Sequence, residues 1–227
     1  MSSFKKKLRF DSLFYKLYLY KNLYIKEKFF LKRKSYSQFK EDIFIQNFFK
    51  NNLDGVYVDI GCYHPIKYSN TALLYNQGWN GYNIDINKAS IDLFKIARPN
   101  DINLNYCLSS QVGEKVDFYV EHLFSAINSI DIGHLKDFNV KHPIKFSVKT
   151  QKFENLVKKK FNFLNIDCEG YDLEIIKLIN LKFYQPDLIC IEVSEKNKNN
   201  IFCYLESMQY NFIKKNSLSY FFERNLQ

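Results

Sequence analysis

The sequence predicts an α/β fold built on a doubly wound, mostly parallel sheet. Three observations carry this. Short apolar runs alternate with segments of helical spacing from residue 41 onward, the first run closes on a tight turn at Gly61, and the chain ends on two strand-like runs that suit an antiparallel edge hairpin.

Asp42–Phe49 has apolar residues at helical spacing, and Gly55–Gly61 reads as a short buried strand. Ser69–Gln77 suits a helix closed by Gly78, and Gly81–Ile86 is the second strand. A helix over Ala89–Ala97 stops at Pro99, followed by strands over Ile102–Leu108 and Val116–Val120. Residues 121–145 break the rhythm with Gly133, Pro143, His122, His134 and His142, and are expected to form an irregular insertion over one sheet edge. Beyond it lie a strand at Phe146–Thr150, a helix reaching Lys160, a strand at Phe161–Ile166, a helix over Asp172–Ile179 and an apolar strand at Leu188–Ile191. The tail holds a helix near Asn200–Met208 and strands near Tyr210–Ile213 and Leu218–Phe222.

The 227 residues, 46% of them apolar, can bury a core, which excludes disorder as the main state. The net charge of +9 is uneven. Residues 1–40 carry twelve Lys and Arg against Asp11 and Glu27, a local +10, so the remaining 21 basic and 22 acidic groups leave the body at −1. The chain therefore divides into a basic, aromatic extension (1–34) and a nearly neutral domain (35–227), and a nucleic-acid-binding reading of the whole loses its support. The extension suits either a helix on an anionic membrane surface or an arm packed on its own domain or a second subunit. Cys62, Cys107, Cys168, Cys190 and Cys203 include no C-x-x-C pair, and no apolar run approaches bilayer length. A cytoplasmic protein with free thiols is expected, at the inner face of the membrane if the arm binds lipid.

Val58-Asp59-Ile60-Gly61 is where chemistry first shows, because ligands of doubly wound sheets bind beyond the carboxyl ends of the strands. A lone Gly61 fails the G-x-G-x-x-G pattern of a dinucleotide pyrophosphate, which weakens an NAD(P) oxidoreductase reading. Asp85, at the end of the second strand, is placed to accept two hydrogen bonds from ribose hydroxyls. A nucleoside cofactor without a pyrophosphate satisfies both.

Tyr36-Ser37-Gln38-Phe39-Lys40-Glu41-Asp42, Val58-Asp59-Ile60-Gly61, Pro65 with Ser69-Asn70-Thr71, Gly78-Trp79-Asn80-Gly81, Asp85-Ile86-Asn87, Arg98-Pro99-Asn100-Asp101 and Ile166-Asp167-Cys168-Glu169-Gly170-Tyr171-Asp172 follow one another in register. Together they resemble the successive motifs of FkbM-type methyltransferases from about Ser37 to Val193. The resemblance implies a class I, Rossmann-like fold with a seven-stranded sheet, S-adenosylmethionine as methyl donor, and O-methylation of a hydroxyl on a sugar or another surface-destined product. Two positions depart from the pattern: Asp85 stands where Glu is usual, and Cys62 where Ala is usual.

On this footing Asp59 and Gly61 frame the methionine moiety, Asp85 binds ribose and Ser109 meets the adenine edge. Asn70 and Gln38 are candidates for the methionine carboxylate or the substrate, with helix capping as the alternative for Ser37-Gln38 and Ser69-Asn70-Thr71. Asp167 and Glu169 are paired carboxylates that can act as general base, hold the donor's ammonium or hold a divalent cation, or else cap the next helix; no spacing marks a metal site. His64 is the best-placed imidazole for proton abstraction, or a hydrogen-bonded turn residue beside Pro65. The insertion's histidines are further bases if it folds as a lid, and Trp79 and Tyr82 are read as core. A non-enzymatic membrane or nucleic-acid adaptor using the basic arm is the remaining alternative.

Overall fold

The computed structural model describes residues 10, 12–30, 33–125 and 128–225. Lys5, Lys6, Lys7, Arg9, Asp11, Lys32 and the side chain of His134 lie outside the described residues.

The elements in chain order are α1 (Leu13–Lys21), running into a π turn (Asn22–Lys26), α2 (Glu41–Phe48), β1 (Val56–Ile60), α3 (Ala72–Asn76), β2 (Asn80–Asp85), α4 (Lys88–Ala97), β3 (Ile102–Asn105), β4 (Cys107–Leu108) and β5 (Lys115–Val120). Then come α5 (Ile132–Asp137), β6 (Ile144–Gln151), α6 (Phe153–Leu156), β7 (Phe163–Ile166), α7 (Asp172–Lys177), α8 (Leu181–Tyr184), β8 (Leu188–Glu192), α9 (Lys198–Ser207), β9 (Tyr210–Asn216) and β10 (Ser219–Arg224).

Seven strands form the main sheet in the order β3-β2-β1-β7-β8-β10-β9. The inner pairs are parallel, and β10 runs antiparallel to both β8 and β9, which makes the expected edge hairpin. The order reverses between β1 and β7, so the switch point lies where β1 ends at Ile60. Alternation along β1 explains the two faces. Val58 and Ile60 pack with Ile166, Ile189, Ile191 and Leu205 on one side, while Tyr57 packs with Phe163, Leu74, Trp79 and Ile45 on the other. Trp79 and Tyr82 are core residues, as the sequence predicts.

The run expected as one strand over Ile102–Leu108 breaks at Tyr106 and serves two sheets. Asn105 ends β3 by donating its side-chain amide to the carbonyls of Asp85 and Ile86, and β4 then pairs with β6. With β5 antiparallel to β6, these strands form a second, three-stranded sheet that carries α5. Residues 121–145 are thus less irregular than expected: Asp131 caps α5, and Tyr119 bridges Ser129.

Two helices are shorter than their patterns. α3 begins only at Ala72, because the Ser69 and Thr71 hydroxyls are engaged by Arg98 rather than by a longer helix. α6 ends at Leu156, where Val157 turns extended and gives its carbonyl to the Tyr184 hydroxyl at 2.7 Å.

The described part of the extension lies against the domain. Tyr15, Leu19, Leu23 and Phe30 are buried with Ile66, Ala89, Leu93 and Phe124, and the Tyr15 hydroxyl donates to Asp92 at 2.9 Å.

Candidate functional site

The carboxyl ends of β1, β2, β7 and β8 open into one cavity of about 370 Å³. Its floor carries Asp59, Gly61, Asp85, Asp167, Glu169 and Glu192; the inserted sheet and its loops contribute Tyr106, Leu108, Phe118 and Ser129 to the wall.

Gly61 has φ +72°, and a Cβ there would stand 1.8 Å from the Asp167 carbonyl oxygen. Its lack of a side chain therefore lets the β1 and β7 loops close on each other. The next helix, α3, starts eleven residues later, so no helix N-terminus follows directly to receive a pyrophosphate.

Asp59 is buried in this floor, held by the Thr71 hydroxyl at 2.7 Å and the Asn165 amide at 2.8 Å. Behind Thr71 lies Arg98, fully buried, whose guanidinium donates to Thr71 Oγ1 and Ser69 Oγ, each at 2.8 Å, and to the Pro65 carbonyl. Asp101, from the same Arg98-Pro99-Asn100-Asp101 turn, accepts from the Tyr57 hydroxyl, the Gly81 N–H and the Asn83 amide. This network fixes the loop after β1 and, through Thr71, the position of Asp59.

Asp85 receives one backbone N–H on each oxygen, from Asn87 at 2.7 Å and Tyr63 at 2.9 Å. Burial pushes its carboxyl up to about 6 against those two donors. The Cys62 thiol also approaches Oδ2, at 4.0 Å, a weak contact that a stronger donor displaces, so both oxygens can take a further donor, the arrangement a vicinal diol requires.

Asp167 is open to the cavity yet walled round by protein, and its carboxyl is raised well above the ordinary range by desolvation and then by Glu192, Glu169 and Asp172. Glu192, its carboxyl itself raised by burial, stands close beside it. Glu169, at φ +50°, is pushed up to about 7 by desolvation and by Glu192 and Asp172. Asp172 accepts from the N–H groups of Cys168 and Gly170 and so shapes the turn that presents Glu169. The cavity is thus strongly acidic at this end. Its thiols, Cys62, Cys107 and Cys168, are raised by desolvation and stay protonated.

Asn70 and Gln38 also line the cavity. Asn70 donates to Asn165 Oδ1 at 3.0 Å, whereas Ser37 turns away to bond Asp42 and hold the loop before α2. Ser109 falls outside: the lining stops at Leu108, and the Ser109 hydroxyl accepts from the Gln111 N–H. His122 and His142 do not line the cavity either.

His64 is corrected from candidate base to structural residue. It is 2% exposed, its Nδ1 accepts the N–H groups of Ile66 and Lys67, and its Nε2–H therefore donates to Asn22 Oδ1 at 3.0 Å. Desolvation, with Lys67, Arg98 and Lys26 nearby, lowers its pKa to about 3. Because the folded value lies below the unfolded one, the stability it contributes is full above about pH 6.5 and is lost as pH falls. Between pH 7 and pH 5 the wild type should lose about 2 kcal/mol more than His64→Gln in urea unfolding; parallel losses in the two proteins would refute the assignment.

Glu192 escapes the sequence reading because the apolar run ends at Ile191, although an acid closing a buried strand beside Asp167 is the signal that could have found it. Among the described residues, no group of three or more His, Cys, Asp or Glu side chains is placed to hold a metal ion.

No curated protein sequence matches the chain. Among solved structures, the crystal structure of methyltransferase FkbM from Methylobacillus flagellatus KT is similar, with a TM-score of 0.50 and 11% identity over 75% of this chain and 44% of that one. At that identity the likeness concerns the fold, and the chain spans less than half the length of that structure. The Methyltransferase FkbM domain itself matches residues 59–215, from Asp59 near the end of β1 into the first strand of the edge hairpin. With the match running from the end of β1 through β2, β7 and β8 and over Asp59, Asp85, Asp167, Glu169 and Glu192 of the cavity, the chain belongs to the FkbM methyltransferase domain family.

Proposed function

We propose that this protein transfers a methyl group from S-adenosylmethionine to a sugar hydroxyl in a surface glycan or glycolipid precursor. The observation that carries the reading is the convergence of Asp85, Asp167, Glu169 and Glu192 from the ends of neighbouring strands onto one cavity. The donor fits these residues. It is cationic at sulfur and at its α-ammonium, which suits the acidic end, and its ribose diol suits the two half-free oxygens of Asp85.

When bound, the donor supplies a methyl group already activated by the sulfonium charge. The protein's own task is to orient and to move a proton. Asp85 holds the ribose, and Asp59, Asn70 and Gln38 surround the methionine end or the acceptor. Glu169, open to the cavity with its carboxyl raised to about 7, takes the acceptor hydroxyl's proton, and Asp167 orients that hydroxyl. The rings of Tyr63, Tyr68, Tyr106 and Tyr171 line the cavity and offer apolar surface against which a sugar can pack.

Calorimetry with S-adenosylmethionine, followed by transfer of labelled methyl to cell-envelope glycan extracts, tests the reading; absence of donor binding at millimolar concentration would refute it. Ionised carboxylates favour both the diol and the cation, so binding releases a proton below their pKa values and affinity rises with pH. We expect a gain of at least about tenfold between pH 5 and pH 8: Asp85, with its value of about 6, alone supplies about that factor, and Glu169, raised to about 7, adds to it. S-adenosylhomocysteine, which lacks the charge at sulfur, should gain less. An affinity that is flat or falls with pH would contradict this.

A further inference from the structure

We propose that α1 and the π turn after it dock on an anionic membrane surface, and that this places the cavity beside the lipid headgroups. The docking goes beyond methyl transfer and stands without it. Only its corollary, an acceptor carried on a lipid, rests on the function proposed above.

The segment has two faces. Inward, Tyr15, Leu19, Leu23 and Phe30 are buried. Outward, Leu13, Phe14, Leu17, Tyr20, Tyr24, Ile25 and Phe29 are between 46 and 71% exposed, a density of large apolar side chains that water does not favour. The π turn helps to make this division. Its wide bond from Glu27 N–H to the Asn22 carbonyl lets Asn22 and Leu23 both face the domain while Tyr24 and Ile25 face out.

Charge selects the occupant. Between residues 12 and 30 the exposed charged side chains are Lys16, Lys21, Lys26 and Lys28, and Glu27 is buried close to Lys26 and Lys67. A second copy of the same face would bring these lysines against one another, whereas an anionic lipid surface pairs with all of them. Phenol and phenyl rings interleaved with lysines are also the side chains that settle at headgroup depth.

The arm touches loops at the cavity. Tyr18 stacks on Phe124 at 5.6 Å, Asn22 meets His64, and Phe30 packs edge-on against Tyr68, which lines the cavity. The Tyr63 hydroxyl, also from the lining, donates to the Phe124 carbonyl. A surface held by the outward face therefore lies close to these loops.

The test is co-sedimentation of the full chain, without donor, on vesicles of phosphatidylcholine alone and of phosphatidylcholine mixed with phosphatidylglycerol. Binding to the mixed vesicles that weakens with salt is expected, with partition lowered about tenfold or more in Leu17→Ser/Ile25→Ser and in Lys16→Glu/Lys21→Glu. All four positions are exposed, so thermal unfolding and donor affinity should match the wild type and show that the variants are folded. No sedimentation, equal sedimentation on both vesicle types, or a concentration-dependent dimer broken by Leu17→Ser/Ile25→Ser without vesicle binding would each overturn the proposal. Donor calorimetry on the same preparations separates this failure from a failure of the methyl-transfer reading.

Discussion

Asp85→Ala is expected to weaken binding of S-adenosylmethionine about 100-fold while the domain stays folded, because two hydrogen bonds to an ionised acceptor contribute roughly 1.5–3 kcal/mol each when formed in a closed site. The side chain stands at the end of β2, and its two backbone donors hold it in place before any ligand arrives. Asp85→Asn separates the contributions. It keeps one carbonyl oxygen, so it should retain part of the affinity and lose the pH dependence that comes from the value near 6. Calorimetry on both variants, with urea unfolding as the control for folding, decides the matter. Affinity within threefold of wild type in Asp85→Ala would remove the ribose from this residue.

Arg98→Met should cost about 4 kcal/mol of stability, enough to leave much of the protein unfolded at growth temperature. The guanidinium is 2% exposed and donates to three side-chain oxygens and one carbonyl, with the ring of Phe94 4.9 Å from its carbon. Methionine fills similar volume but removes the Arg98 bonds to Ser69, Thr71 and the Pro65 carbonyl, in a place water cannot reach. Arg98→Lys keeps the charge and loses the planar fork, so it should fall between the two. Chemical denaturation of the three proteins measures this, and a loss below about 1 kcal/mol in Arg98→Met would show that the loop after β1 is fixed by something else. Because Thr71 links Arg98 to Asp59, donor affinity in Arg98→Lys should drop together with stability.

The parts of this protein that the sequence made readable are those where burial is complete. Strands β1, β2, β7 and β8 are apolar runs with an acid or Gly at the end, and parallel strands covered on both faces leave that pattern whatever surrounds them. The second sheet is harder to see. In β6 every other residue is Lys, Ser or Gln, so Ile144–Gln151 reads as a strand without revealing its neighbours, and the two-residue β4 is too short for any period. Asp59, Gly61, Asp85, Asp167 and Glu169 stand out in the sequence because each lies at or just beyond the end of a buried strand, and all five line the cavity. His64 was misread for a reason no local pattern contains: its partner Asn22 arrives from the arm, and burial under that arm turns an imidazole suited to proton transfer into a neutral spacer. Ser109 was misplaced because the chain leaves the main sheet at Tyr106, two residues before the expected strand would have ended.

The second sheet leaves the main one at Tyr106 and returns with its last strand beside its first: Cys107 faces Thr150 and Leu108 faces Gln151 in register. A segment whose two ends are neighbours can be lengthened, trimmed or exchanged at little entropic cost to the domain that carries it. Asp85 and Asp167 lie on either side of this segment in the chain and on one edge of the main sheet in space. Residues 107–151 can therefore be rewritten while the strand ends that carry Asp85 and Asp167 keep their places.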